Sequence, residues 1–290
     1  MKRSPAGAEV PGLHLYRDPV AHLRSVPFCF AAGAQWVARR GDGIEIRLPY
    51  GRAVGNPASG AIDERAVMAV LDHVSGATVY ALLQDDPRPT ATLDLRVAFQ
   101  RPPPPGADII FTSGPACMTD NVAFIAGRAR TADGLEVATS SGAFIVGAHP
   151  GGATPDKGTD LWQPARPFDT RDASRCASFD EFLGIVRHGQ HVRMEFHDRL
   201  IGAVSLPALH GGTVAALLAT AAGDLAAQAG ASRMVAISIQ YLRAGRAEAT
   251  SASAEVERRG ARSGVINAVA RQAHGARIVA RAQATFIAGA

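Results

Sequence analysis

The residue types best suited to chemistry are found at His210-Gly211-Gly212, directly before a long run of small apolar residues that predicts a helix to about residue 228. Two consecutive glycines before a helix leave the backbone bare, so its first N–H groups can approach a ligand oxygen closely. The helix dipole adds a partial positive charge at the same place. This combination suits a carbonyl oxygen on which negative charge develops during acyl transfer.

A carboxylate in an unusual setting is the second feature. Asp72 lies within residues 63–83, a predicted helix that is apolar on most of its circumference and is therefore expected to be buried. A buried carboxylate without a partner is costly. Asp72 therefore either has a functional or hydrogen-bonding partner or lies where the helix reaches solvent, and the residue types leave both interpretations open.

The elements that must position these residues occur twice. In each half a long apolar helix precedes strand-like segments with alternating apolar residues, which begin at 92–99 and at 235–241. Three pairs of residues are separated by the same 142 positions: Phe99 and Tyr241, Arg101 and Arg243, and Phe144 and Phe286. A fixed offset across several elements indicates an internal duplication.

The duplication predicts two domains of one kind. We expect a first domain over residues 27–147 and a second over 178–290, joined by a Gly- and Pro-rich linker at 148–177. Residues 1–26 would form an N-terminal segment with a short helix at 18–25. Antiparallel strands wrapped around each long helix would bury that helix economically, which predicts an α+β fold.

A His-Gly-Gly that opens a helix, in a chain duplicated in this way, resembles the hotdog-fold acyl-CoA thioesterases, in particular the phenylacetate-pathway type. The resemblance covers about residues 27–147 and 178–290. It implies a tandem hotdog, in which each half is a long central helix wrapped by an antiparallel β-sheet and the two halves form an intrachain pseudo-dimer. In the family, a carboxylate further along the helix faces the Gly-Gly backbone of the partner subunit.

Carried over residue by residue, the resemblance divides the site between the halves. The second half has His210-Gly211-Gly212, but Ala219 occupies its carboxylate position. The first half has Asp63-Glu64-Arg65 in place of His-Gly-Gly, but has Asp72 at the carboxylate position. A hydroxyl early on the next strand is present only in the first half, as Thr92. The resemblance therefore implies one complete composite site and one degenerate site.

The resemblance also implies roles within the composite site. Asp72 would act as general base or nucleophile, and the Gly211 N–H would polarise the thioester carbonyl. His210 and Gly212 would shape the loop, and Thr92 would position the water or the carboxylate. No metal or redox cofactor is implied, and coenzyme A enters as part of the acyl-CoA substrate.

The phosphates of coenzyme A require cations near the mouth of the site. Arg101, Arg243 and Arg259 follow or end predicted strands and are the candidates for these contacts. Each of them would also fit an exposed basic rim, so the residue types leave both interpretations open.

Composition narrows the class of protein. The chain has 290 residues, of which 47% are hydrophobic and 19% charged, with a net charge of +4, which suits a globular protein with a substantial core. It has no basic block interleaved with aromatics, no signal-peptide pattern and no apolar run of membrane-spanning length, so neither nucleic acid nor membrane is an expected partner. Its three cysteines fit neither a disulfide framework nor a zinc pattern. We expect a cytoplasmic homodimer of double hotdogs.

Other functions fit the sequence less well. The His and acidic pattern of the hotdog hydratases is absent, and there is no Gly-x-Ser-x-Gly elbow for a serine nucleophile. The type II acyl-CoA thioesterases are also tandem hotdogs, but use an Asp/Gln/Thr set for which Gln240 and Thr250 are loose candidates. The alternative from a different class is a non-catalytic acyl-CoA or acyl-ligand binding protein, since each half lacks part of the family pattern.

Overall fold

A computed structural model describes residues 23, 26–83, 88, 90–147, 170–189, 191–203, 206–273 and 275–288. Its helices are α1 (Pro27–Ala32), α2 (Glu64–Leu82), α3 (Phe179–Leu183) and α4 (Gly211–Gln228). Its strands are β1 (Gln35–Arg40), β2 (Gly43–Leu48), β3 (Gly55–Asn56), β4 (Ala61–Ile62), β5 (Thr90–Phe99), β6 (Ile109–Met118), β7 (Val122–Arg130), β8 (Glu136–Val146), β9 (Ile185–His188), β10 (His191–Met194), β11 (Ile201–Ala203), β12 (Leu206–Leu209), β13 (Ala231–Tyr241), β14 (Thr250–Arg259), β15 (Ser263–Gln272) and β16 (Arg277–Ala288).

Two of the predicted segments fall largely outside the described residues. The short helix expected at 18–25 lies outside them except for Leu23. Residues 148–169 of the expected linker also lie outside them, whereas Thr170–Arg175 form a 3₁₀ turn.

Twelve strands form one sheet in the order β1-β2-β6-β7-β8-β5-β13-β16-β15-β14-β10-β9, with every neighbouring pair antiparallel. Each half supplies six neighbouring strands of this order. Strands such as β7 and β15 alternate between more and less buried positions, as expected when one face of a sheet covers a core. The predicted α+β architecture is confirmed.

The two halves meet where β5 pairs with β13. In this pairing Arg96 lies opposite Ser238, which is its own equivalent at the 142-residue offset. A residue that faces its repeat equivalent lies on a twofold axis. The chain therefore forms, within one polypeptide, the arrangement that two identical subunits would form in a symmetric dimer.

The long helices α2 and α4 pack against the sheet and against each other. Both are buried over most of their length, and removing their apolar side chains from water stabilises the fold. Short hairpins lead into both helices, β3–β4 into α2 and β11–β12 into α4. Among the described residues, no helix combines the length and apolarity needed to cross a membrane.

Candidate active site

His210 follows β12 and caps the N terminus of α4. Its Nδ1 accepts the Gly212 N–H at 3.0 Å, and the backbone N–H of His210 donates to the Leu200 carbonyl at 2.8 Å. The imidazole is 6% exposed and stacks on Phe28, with ring centroids 4.8 Å apart. Burial lowers the pKa of His210 to about 3. The ring therefore stays neutral and holds the turn as a hydrogen-bond acceptor.

Asp72 lies in the middle of α2 and directs its carboxylate at this turn. Its Oδ1 accepts the Thr92 hydroxyl at 3.0 Å, and its Oδ2 lies 3.7 Å from His210 Nδ1. The side chain is only 4% exposed. The structure thus brings Asp72 and Thr92 from the first half together with His210 from the second.

The surroundings of Asp72 change its acidity. Burial raises the pKa of Asp72 to about 6, opposed by the Thr92 hydroxyl, which donates to Oδ1, and by the nearby Gly212 N–H, whose own hydrogen bond goes to His210 Nδ1. The neutral His210 supplies no opposite charge. A carboxylate whose pKa is close to neutrality is mostly ionised at pH 7 and still accepts a proton readily, as a general base must.

The two glycines are required by close packing between the halves. A Cβ on Gly211 would lie 2.7 Å from Asp72 Oδ2, and a Cβ on Gly212 would lie 2.6 Å from the Ala69 Cα. The bare backbone therefore lets the N terminus of α4 approach the carboxylate. The first N–H groups of a helix have no acceptor in a preceding turn, so they can be directed at a ligand oxygen.

Ion pairs occupy the N terminus of α2, the position in the first half that is equivalent to the His-Gly-Gly turn. Asp63 caps α2 by accepting the Arg65 N–H at 2.9 Å, in the manner of the imidazole cap on α4. The Arg65 guanidinium donates to Thr220 Oγ1 at 2.7 Å and pairs with Asp180 at 2.6 Å. Beside it, burial raises the pKa of Glu64 to about 7, with the Arg233 charge opposing the increase. Charged side chains therefore lie where the composite site has bare glycine backbone.

Two side chains at the site were missed by the sequence reasoning. The Tyr241 hydroxyl donates to the Gly211 carbonyl at 3.0 Å. Cys29 on α1 is fully buried, and burial and the Asp72 charge raise the pKa of its thiol well above the usual range. The 142-residue offset offered a signal for Tyr241, which aligns with Phe99 and differs from it by the hydroxyl.

Cys29, His73 and His210 form a group of possible ligand atoms that lie within 4.8 Å of one another. Such a donor set is of the type that binds zinc. However, His210 uses Nδ1 to accept the Gly212 N–H, and its ring contacts the rings of Phe28 and His73. Helix capping and ring packing account for the position of His210 within this group.

A cluster of arginines lies beside β12, the strand that leads to the site. The segment 243–246 is held against this strand by a hydrogen bond from the Leu209 N–H at 2.8 Å and by a bridge at Arg246. Burial and the charges of Arg246 and Arg243 lower the pKa of Arg277, and the Glu248 carboxylate opposes this decrease. Guanidinium groups close enough to affect one another in this way form a region of positive potential that suits an anion.

The other predicted arginines lie elsewhere. Arg101 is exposed and is the repeat equivalent of Arg243, on the side of the degenerate site. The Arg259 guanidinium donates to the Ala229 carbonyl at 3.0 Å, at the C terminus of α4. This 18-residue helix is about 27 Å long, so Arg259 is far from Gly211. The structure therefore does not bring Arg101, Arg243 and Arg259 together.

The residues considered for the type II pattern have other surroundings. Gln240 is exposed on β13. Thr250 is fully buried, and its hydroxyl accepts the Gln272 side-chain amide at 2.9 Å. The Gln272 side-chain oxygen in turn accepts the backbone N–H of Arg246. Neither is in the hydrogen-bonded group around Asp72.

Comparisons with known proteins agree with this architecture. Residues 203–287 match the family model of the acyl-CoA thioesterase N-terminal domain. A protein from Novosphingobium aromaticivorans assigned as a thioesterase is similar in structure, with a TM-score of 0.61 and 15% identity over 87% of this chain and 98% of its own. The tesB protein of Mycobacterium avium subsp. paratuberculosis has a TM-score of 0.59 and 13% identity over 94% of this chain and 100% of its own.

A third solved structure carries the name of the fold. It is a conserved hot dog protein from Alicyclobacillus acidocaldarius, with a TM-score of 0.59 and 13% identity over 91% of this chain and 98% of its own. No curated protein matches the sequence. The structural similarities span most of the chain, and the predicted tandem hotdog fold is confirmed.

Proposed function

We propose that this tandem hotdog protein, whose residues 203–287 match the family model of the acyl-CoA thioesterase N-terminal domain, hydrolyses acyl-CoA thioesters at the composite site between its halves. The observation that carries this proposal is the Asp72 carboxylate against the Gly211 backbone, where a Cβ would lie 2.7 Å from Oδ2. Thioester hydrolysis requires a base or nucleophile and donors for the oxyanion. In this protein the carboxylate and the donors come from opposite halves.

In the proposed reaction the thioester carbonyl oxygen accepts the Gly211 N–H, and Asp72 removes a proton from a water molecule. The water oxygen adds to the carbonyl carbon, and the N terminus of α4 stabilises the resulting oxyanion. The C–S bond then breaks, and the proton held by Asp72 passes to the departing coenzyme A thiolate. Thr92 keeps the carboxylate in place through the hydrogen bond to Oδ1.

Direct attack by Asp72 is the second route open to this carboxylate. It would form an anhydride that water then hydrolyses. A single turnover in ¹⁸O-labelled water separates the routes. Label in the Asp72 side chain identifies the nucleophile route with water attack at the aspartyl carbonyl. When label appears only in the carboxylic acid product, rapid-quench detection of a covalent acyl-aspartate distinguishes water attack at the acyl carbon of the anhydride from the general-base route.

The experiment that tests the proposed function is a thiol-release assay with a panel of short, long and aromatic acyl-CoAs. Turnover of at least one member supports the proposal. It also identifies the acyl group, which the residue types of the site do not specify. If calorimetry showed that the protein binds acyl-CoAs but none of them were hydrolysed, the proposed enzyme would be wrong and the non-catalytic binding protein would be the better interpretation.

The pH dependence of the reaction should follow Asp72. Its carboxylate must be ionised to accept a proton, and burial raises its pKa to about 6. We therefore expect kcat/KM to fall as the pH drops through about 6. Thr92→Val removes a hydrogen bond that lowers this pKa, so the fall should begin at higher pH in that variant. A pH–rate profile with its acid limb near pH 4 in both proteins would contradict this assignment.

The arginines beside β12 make coenzyme A the proposed carrier. The Arg243 charge lies close enough to Arg277 to lower the pKa of that guanidinium, and a bound phosphate would relieve this repulsion. Arg243→Ala should raise KM for an acyl-CoA about tenfold, because a charge-assisted hydrogen bond is lost. Steady-state kinetics at low ionic strength would measure this change.

The chain contains its own control for this prediction. Arg101 is the repeat equivalent of Arg243 on the degenerate side, so Arg101→Ala should leave KM within about twofold of the wild type. An acyl-N-acetylcysteamine has the same thioester without the phosphates, and its KM should be unaffected by either substitution. Equal effects of the two substitutions on acyl-CoA would contradict a carrier site at Arg243.

We also propose that two chains associate as a homodimer of double hotdogs in the cytoplasm. Light scattering on the purified protein tests the association: a mass near twice the 30.2 kDa of one chain is the expected result.

A further inference from the structure

The Tyr241 hydroxyl contacts the carbonyl of the Gly211–Gly212 peptide group, which lies beside the Asp72 carboxylate. Tyr241 is the last residue of β13, and its hydroxyl lies 3.0 Å from the Gly211 carbonyl oxygen. A carbonyl can only accept, so the hydroxyl is the donor. Burial and the Asp72 charge raise the pKa of Tyr241 well above its usual value, so the hydroxyl keeps its proton over the whole working range of pH.

The carbonyl of Gly211 and the N–H of Gly212 belong to one peptide group. That N–H donates to His210 Nδ1 at 3.0 Å, and the Asp72 Oδ2 lies 3.7 Å from the same nitrogen, near enough for the N–H to lower the pKa of Asp72. A donor on the oxygen of a peptide group draws electron density from the nitrogen and strengthens its N–H as a donor. The Gly211–Gly212 peptide therefore connects the Tyr241 hydroxyl with the His210 imidazole and, beside it, the Asp72 carboxylate.

The first half has no counterpart of this hydroxyl. The repeat equivalent of Tyr241 is Phe99, on the side of the degenerate site. Its buried ring shows that a phenyl group fits this strand position. The hydroxyl is thus present only beside the His-Gly-Gly turn and the carboxylate.

We propose that Tyr241 is a positioning residue for thioester hydrolysis, whose hydroxyl holds and polarises the Gly211–Gly212 peptide against the Asp72 carboxylate. This inference rests on the proposed function. Tyr241 does not itself have to touch the substrate, because its effect passes through the peptide group.

The test is Tyr241→Phe, which removes the hydroxyl and introduces the residue found at the equivalent position. We expect kcat to fall about tenfold, as for the loss of one buried hydrogen bond, with KM within about twofold. The acid limb of the pH–rate profile should move up by about half a pH unit, since the Asp72 carboxylate loses support. Tyr50→Phe removes a hydroxyl from an exposed tyrosine and should change none of these quantities.

A merely structural role for the hydroxyl predicts a different result. The folded fraction would fall on heating while kcat per folded molecule and the acid limb stayed unchanged. That outcome would overturn the proposal, and so would a fall in kcat without movement of the acid limb. The titratable groups near Asp72 that must be followed in the same titration are Cys29, His210 and Tyr241, together with His73, which lies beside Cys29 and His210.

A measurement without substrate separates this inference from the proposed function. NMR titration of ¹³C-labelled aspartate carboxyls, with the Asp72 signal assigned from Asp72→Asn, reports the pKa of Asp72 directly. A higher value in Tyr241→Phe than in the wild type supports the action of the hydroxyl on the carboxylate even if no acyl-CoA is hydrolysed. An unchanged value refutes it even if the wild type is an active thioesterase.

Discussion

Asp72→Asn should lower kcat/KM for acyl-CoA hydrolysis by about two to three orders of magnitude. The asparagine keeps the size of the side chain and an oxygen that can accept the Thr92 hydroxyl, but it can neither take a proton from water nor attack the thioester. Calorimetry with a non-hydrolysable thioether analogue should give a dissociation constant within about twofold of the wild type. The thiol-release assay measures the loss of turnover.

Asp224→Asn is the matched control for this substitution. Asp224 lies on α4, the other long helix, and pairs with Arg187 at 2.8 Å near the surface. Its variant should keep wild-type turnover within about twofold, because surface ion pairs contribute little. If Asp72→Asn retained more than about a tenth of the wild-type turnover, Asp72 would be neither the base nor the nucleophile.

Gly212→Ala should lower the free energy of unfolding by about 3 kcal/mol, at the upper end of the usual cost of overpacking. The new Cβ would lie 2.6 Å from both the Cα and the carbonyl oxygen of Ala69. These are backbone atoms of α2 and cannot rotate away as a side chain can, so the two helices would have to separate. Urea unfolding followed by circular dichroism measures the change.

A second glycine of α4 serves as the control. A Cβ on Gly223 would meet nothing within 4 Å, and alanine favours a helix over glycine by about 0.5–1 kcal/mol. Gly223→Ala should therefore stabilise the protein slightly. If both alanine variants changed the unfolding free energy in the same direction and by similar amounts, the contact between α2 and α4 would not explain the requirement for Gly212.

The elements and their duplication could be predicted because they depend on local patterns. The alternation over 92–99 and 235–241 is the direct consequence of strands with one face on a core, and the structure has them as β5 and β13. The 142-residue offset then requires that residues separated by this distance occupy equivalent positions in two similar halves. The central pair of Arg96 and Ser238 obeys the same offset. The tandem hotdog fold followed from these patterns together with the family resemblance.

The candidate site was only partly within reach of the sequence. Residue types left open whether Asp72 has a partner or reaches solvent, and the family resemblance suggested the partner. The structure shows the carboxylate buried beside Thr92 and His210, and its raised pKa results from that burial. Burial of one residue depends on how α2 packs on α4, which no local pattern contains.

By itself, the sequence predicted a helix from Thr213 directly after His210-Gly211-Gly212, and the structure begins α4 two residues earlier, at Gly211, because the His210 imidazole caps it by accepting the Gly212 N–H. The sequence also determined the strands and the repeat. Only the tertiary structure decided that the Tyr241 hydroxyl meets the Gly211 carbonyl, 30 positions away in the chain, and that Arg259 contacts the far end of α4. The physical reason is that these contacts depend on the register of β13 and β14 against α4 and on the length of that helix. Residue type at one position specifies neither.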